Sequence, residues 1–134
     1  MESPVVRRRT MQAVKSKDTA PEWTVRRLVH GMGYRFRLHR SDLPGKPDLV
    51  FPRLHKTLFV HGCFWHGHDC SRGARVPIHN NAYWTNKVAR NQERDKATQA
   101  SLRTLGWRVL ILWECELKDS RMIGFRIKNF LEDE

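Results

Sequence analysis

Acidic residues are the first shortage in this chain: Asp and Glu number 14 against 25 Lys and Arg, giving a formal charge of +11 over 134 residues. That imbalance points to a polyanionic partner. Nucleic acid is the first candidate, because each neutralised phosphate releases counterions; an anionic membrane surface is the weaker rival. Long apolar runs are missing too. None approaches the ~20 residues that cross a bilayer, and no amphipathic stretch is long and basic enough for a surface anchor. Arg7, Arg8 and Arg9 are not followed by an apolar core, so no secretory signal is expected. Cysteine is scarce and odd in number, Cys63, Cys70 and Cys115. This excludes a self-contained disulfide framework and fits a reducing, cytosolic compartment. Internal repeats and low-complexity segments are absent. The chain has the length of one domain, and its 40% hydrophobic content supports one ordinary core.

What is present reads as alternating elements. Residues 1–18 form a basic arm that carries Met11, and residues 19–134 form the folded domain. Thr19-Ala20-Pro21-Glu22 has the form of a capping box with Pro in the first turn. Val25, Leu28, Val29 and Met32 then fall on one helical face, so a helix is expected over 19–32. Tyr34, Phe36 and Leu38 alternate with arginines, as in a half-buried strand. Strands are expected over 47–51 and 56–60. Residues 61–81 have no period and hold most of the histidines. A long helix runs from Asn80 or Asn81 to Leu105 and stops at Gly106. Its inward stripe is Val88, Asn91, Asp95, Thr98, Leu102 and Leu105. Polar groups on such a stripe cost free energy unless satisfied, so the stripe should pass from core to a polar site. Residues 107–113 are apolar and β-prone, a central strand, and residues 120–131 form a last helix with Ile123, Ile127 and Phe130 inward.

The chemistry concentrates in the segment from His61 to Cys70, which holds three histidines and two cysteines. Thiolates with imidazoles suit tetrahedral zinc. Cys63, His68 and Cys70 lie in one loop, and Cys115 follows the last strand as a fourth ligand. Four protein ligands make such a site structural. His66 lies between ligands and is a candidate general base. Asp48 heads a strand, where nucleases place carboxylates for Mg²⁺. Phe64, Trp65 and Trp84 are aromatics in or beside polar, irregular segments, suited to insertion between base pairs.

Together LPGKPDLVF, FVHGCFWHGHDC, KVARNQERD and LGWRVLILWEC resemble the very short patch repair endonuclease (Vsr) family, over most of the chain from about Met11 to about Cys115. The resemblance implies an α/β, restriction-endonuclease-like domain of the PD-(D/E)xK type, a central mixed sheet flanked by helices, with a structural zinc site. It implies a strand-specific endonuclease that nicks 5′ to the thymine of a T:G mismatch, such as arises from 5-methylcytosine deamination, leaving a 3′-hydroxyl and a 5′-phosphate. On the matching positions, Asp48 and the Val60 main-chain carbonyl hold magnesium, and His66 is the general base. His61 and Asp95 are its supporting pair and Glu22 is a further acid. Cys63, His68, Cys70 and Cys115 hold zinc. Phe64, Trp65 and Trp84 form a wedge, Met11 inserts from the opposite groove, and Lys87 and Asn91 touch the mispaired bases. Double-stranded DNA bearing the mismatch is the implied partner, with mismatch-repair proteins beside it. A monomer in the bacterial cytoplasm, associated with the nucleoid, is the implied setting. The chain departs from the wider nuclease pattern at Val60-His61-Gly62, where a second acid and a lysine are usual. Two rival readings follow from the residues: a zinc-stabilised mismatch-binding module without catalysis, and a restriction-type nuclease acting on paired duplex.

Overall fold

The computed structural model describes residues 19–70 and 81–133. Helix α1 covers Ala20–Gly31, strands β1, β2 and β3 cover Arg37–Leu38, Leu49–Phe51 and Lys56–His61, helix α2 covers Asn81–Thr104, strand β4 covers Arg108–Trp113, and helix α3 covers Ser120–Glu132. The α-β-β-β-α-β-α order is the one read from periodicity. The four strands form one mixed sheet in the order β1-β2-β3-β4. The first two pairings are antiparallel, while β3 and β4, joined through α2, are parallel. Met11 and the rest of the basic arm lie outside the described residues.

The strands alternate between two cores. Leu49, Phe51, Leu58 and Leu112 face Val25 and Val29 of α1 and Ile123, Ile127 and Leu131 of α3. Val50 and Phe59 face Leu43 and Leu102 on the other side, with Val109 and Ile111 packed against them. The sheet is thus covered on both faces, and this explains why β4 is apolar on both faces. Its expected central position is corrected: among the described residues β4 ends the strand order. Helices covering both faces, rather than strands on both sides, make it apolar.

Other expectations also shift. β1 is two residues long and exposed on both. Tyr34 and Phe36 still pack on the core, but Leu38 is 43% exposed, so the alternation stops short of a full strand. β2 begins at Leu49 rather than at Pro47, which has no N–H to give a ladder. α3 buries Leu131 with Ile123 and Ile127, successive i+4 steps, and the expected Phe130 packs partly buried against the same core. Leu105 is 59% exposed, because α2 has ended at Thr104 and Gly106 turns the chain at φ 89°. Leu102 is the buried residue of α2. The half-buried Val88, Asn91, Asp95 and Thr98 continue its stripe toward the N-terminus, beyond the packed core.

Two local details position the site. The Thr19 hydroxyl caps α1 by accepting from the Glu22 N–H at 3.4 Å. The Glu22 carboxylate does not complete the expected box; it turns inward. Lys56, 3% exposed at the start of β3, donates from Nζ to the carbonyls of Phe130, Leu131 and Asp133 and so fastens the end of α3. With the sheet fixed in this way, His61 at the end of β3 pairs with Trp113 at the end of β4. The chemistry-bearing segments therefore leave the sheet at one edge, the C-terminal ends of its parallel strands, where α/β folds place ligand crevices.

Candidate active site and metal centres

Asp48 stands just before β2. Its Oδ2 accepts the Val60 N–H at 2.6 Å, an outcome of the antiparallel β2–β3 register. Asp48 and Glu22 are 8% and 2% exposed. Arg26, one turn along α1, donates to Glu22 Oε2 at 3.0 Å and lies 3.0 Å from His39 Nε2. A guanidinium only donates, so His39 Nε2 is the acceptor there. Burial pushes the Asp48 carboxyl up to about 7, and the Glu22 carboxylate adds to this, while the Val60 N–H and Arg26 pull it back. Ligand atoms of Glu22, His39 and Asp48 all lie within 4.8 Å of one another. Two buried carboxylates facing each other, one of them raised by burial and by its neighbour, suit a hard divalent cation such as Mg²⁺. Val60 reaches Asp48 through its N–H, and its side chain packs on the core. Arg26 and His39 were not singled out by the sequence; the left-handed backbone at His39, φ 46°, has no signature in the letters.

His61 and His66 form the next cluster. Their rings are stacked, centroids 3.8 Å apart and 6° from parallel. His66 Nδ1 lies 2.6 Å from Asp95 Oδ2, and the ligand atoms of His61, His66 and Asp95 lie within 4.8 Å of one another. A carboxylate accepts, so Nδ1 carries the hydrogen and Nε2 keeps its lone pair. His61 is 6% exposed, and burial pushes its imidazole down to about 4, helped by the neighbouring His66 and opposed by Asp95. Trp113 closes the side of the cluster, edge-on to both rings. Its position at the end of β4 makes Trp113 the wall of the site.

Cys63, His68, Cys70 and Cys115 converge beyond that wall, with all four ligand atoms within 4.8 Å of one another. The loop is shaped by His68 N–H donating to the Cys63 carbonyl at 2.9 Å and Cys70 N–H donating to the His68 carbonyl at 2.9 Å. Cys115 follows β4, and its N–H points at Cys63 Sγ, 3.4 Å away. The His68 ring lies flat on Trp113 at 4.1 Å. Burial pushes the Cys63 thiol up to about 12, and the neighbouring thiols add to this. Three sulfurs and an imidazole at this spacing match a tetrahedral zinc donor set, and a bound cation would stabilise the thiolates.

Phe64, Trp65 and Trp84 meet beside this loop, with centroids 5.0 to 5.9 Å apart. Tyr83, 56% exposed and edge-on to Trp84 at 5.1 Å, joins them; no motif marked it. The Lys87 ammonium sits 5.2 Å from the Trp65 ring and 5.9 Å from both Trp84 and Tyr83. Asn91 donates from Nδ2 to the Trp65 carbonyl at 2.9 Å.

The family model for DNA mismatch endonuclease Vsr matches residues 2–72, somewhat over half of the chain. The chain belongs to the Vsr family. Among its relatives, a protein of Xanthomonas oryzae pv. oryzae named type II nicking enzyme V.XorIIP is 52% identical over 130 residues, covering 97% of this chain and 95% of its own length. The DNA mismatch endonuclease Vsr of Escherichia coli K12 is 42% identical over 112 residues, covering 84% of this chain and 71% of its own length. A type II nicking enzyme of Neisseria meningitidis, V.NmeAIP, is 36% identical over 123 residues, covering 92% and 87%. Membership in the Vsr family agrees with the resemblance drawn from the four motifs. The mixed α/β sheet with three helices is the scaffold on which this member carries its three polar clusters.

Proposed function

We propose that this chain is a strand-specific DNA nickase that cuts 5′ to the thymine of a T:G mismatch. The observation that carries the reading is the single loop from Phe64 to Cys70, seated at the strand ends that carry Asp48. It brings together two rings of the aromatic cluster, His66 on Asp95, and two of the four Cys/His donors. The relatives' names, a mismatch endonuclease and nicking enzymes, support the same chemistry. The domain, residues 19–134, is read as a restriction-endonuclease-like fold in which Pro47-Asp48 keeps the first half of the PD-(D/E)xK pattern. Residues 1–18, with Met11, are read as a DNA-gripping arm.

In this mechanism His66 takes the proton of the attacking water on Nε2 while Asp95 holds Nδ1–H. The water oxygen attacks phosphorus in line, the P–O3′ bond breaks, and the departing O3′ takes a proton from solvent, leaving a 3′-hydroxyl and a 5′-phosphate. Asp48, with Glu22 and the Val60 main chain beside it, would hold magnesium, which when bound supplies charge stabilisation at phosphorus and at the departing oxygen. His61 backs His66 by stacking. Cys63, His68, Cys70 and Cys115 would hold a zinc ion that fixes the loop. Phe64, Trp65 and Trp84 enter the stack, favouring a mispair because it unstacks at lower cost. Lys87 approaches the bases from among these rings. Asn91 gives one N–H to Trp65 and keeps a second N–H and its carbonyl for a base edge. We further assign the chain to the bacterial cytoplasm, as a monomer acting on nucleoid DNA beside mismatch-repair proteins.

A strand-labelled nicking assay with Mg²⁺ tests this, comparing T:G and T:A duplexes in several flanking contexts. A nick beside the mismatched thymine alone, lost in Asp48→Ala, is the expected result. Equal cutting of T:A duplex would make the chain a restriction-type nuclease, and binding without cutting would make it a mismatch sensor.

A further inference from the structure

Three consecutive residues of the loop after β3 are tied to one turn of α2. Asn91 Nδ2 donates to the Trp65 carbonyl at 2.9 Å, Asp95 Oδ2 accepts from His66 Nδ1 at 2.6 Å, and Gln92 Nε2 donates to the Gly67 carbonyl at 3.1 Å. The peptide group before His66 and the one after Gly67 are therefore anchored to the helix, and so is the His66 ring. Carbonyls only accept, so each carboxamide must present its nitrogen. Residues 91 and 95 lie one turn apart on one stripe, and residue 92 lies next to it.

Gly67 completes the fit. Its φ is +61°, and a Cβ there would lie 2.3 Å from Gln92 Nε2 and 2.8 Å from Val88 Cγ1. Gln92 thus lies over the glycine more closely than any other residue at 67 would allow. Trp84 packs on Phe64 and Trp65 at this end of α2, while its fully buried residue, Leu102, lies far toward the C-terminus. Between Trp65 and Gly67 the hydrogen bonds from Asn91, Gln92 and Asp95 add to that packing.

We propose that Gln92, together with Asn91, is a positioning residue for His66. The two carboxamides hold the Trp65 and Gly67 carbonyls, so the short stretch between them that carries His66 is fixed and Asp95 holds the imidazole in one orientation. This rests on the reading of His66 as general base. Trp65 shares the anchor, so the ring that meets DNA and the ring that takes the proton move as one unit.

Single-turnover nicking of a T:G duplex by the full chain separates rate from affinity. Gln92→Ala is expected to lower the rate about tenfold, and Asn91→Ala/Gln92→Ala up to about 100-fold, since small misplacements of a reacting group cost that much. Affinity for the duplex should stay within about threefold for Gln92→Ala. A second measurement uses the free protein. The low-field Nδ1–H proton resonance of His66, identified by its loss in Asp95→Ala, should broaden or vanish in Gln92→Ala. An unchanged rate, a loss confined to affinity, or a slowed enzyme with an unaltered His66 resonance overturns the proposal. If the wild type nicks no T:G duplex, the functional reading fails, and the resonance alone decides whether Gln92 orients His66.

Discussion

The imidazole of His66 lies flat against that of His61, 3.8 Å between centroids, and reaches Asp95 through Nδ1. Two stacked rings at that distance repel if both carry charge. Burial of His61 lowers its affinity for protons, so the stacked pair avoids a double charge.

A pH dependence of stability follows. The folded His61 has its pKa lowered from 6.5 to about 4, so its contribution is present above pH 6.5 and is lost as pH falls toward 4. Between pH 7 and pH 5 the loss should be roughly 2 kcal/mol. Urea unfolding of wild type and His61→Asn at both pH values reads it as the part of the acid destabilisation that the variant lacks. Identical pH slopes in the two proteins would remove the argument.

Asp95→Asn keeps the shape of the side chain but can present an N–H to His66 and select the wrong tautomer. Nicking should slow by ~100-fold or more while duplex affinity holds. Single-turnover rates beside a binding titration separate these effects; a loss of affinity alone would place Asp95 outside the chemistry.

Removing a thiol tests the metal centre. Cys115→Ser should lose the bound zinc, read by elemental analysis, and more than ~3 kcal/mol of stability, since the ion's binding energy is folding energy. Stoichiometric zinc with unaltered melting would show that Cys115 is not a ligand.

Protons and magnesium should compete at Asp48. Its carboxyl is raised to about 7, so the magnesium concentration for half-maximal nicking should climb as pH falls below 7 and level off above it. Glu22 contributes to the rise, so Glu22→Gln should shift the levelling point to lower pH. A magnesium requirement independent of pH across this range would contradict the pairing.

Much of this was legible in the letters because it is local. Thr19 and Pro21 start α1, Gly106 ends the turn after α2, and a short apolar run marks β3, all within one or two turns of chain. The dense Cys/His segment and the polar half of the α2 stripe announced chemistry before any contact was known. Arg26, His39, Tyr83 and Gln92 carried no such signal. Their residue types are those of ordinary surface positions, and a buried ion pair or a carboxamide over a glycine is set by neighbours far along the chain.

The sequence by itself determined the order and kind of the elements, the family, and the residue types available for metal and proton chemistry. These rest on period, capping and motif, whose interactions span a few residues. The tertiary structure alone decided that Glu22 and Asp48 share one buried space, that Asp95 meets His66 at Nδ1 with His61 stacked beside them, that β4 lies at the end of the strand order among the described residues, and that Trp113 walls the site. Those depend on strand register and helix docking, which bring together groups 26 to 52 positions apart.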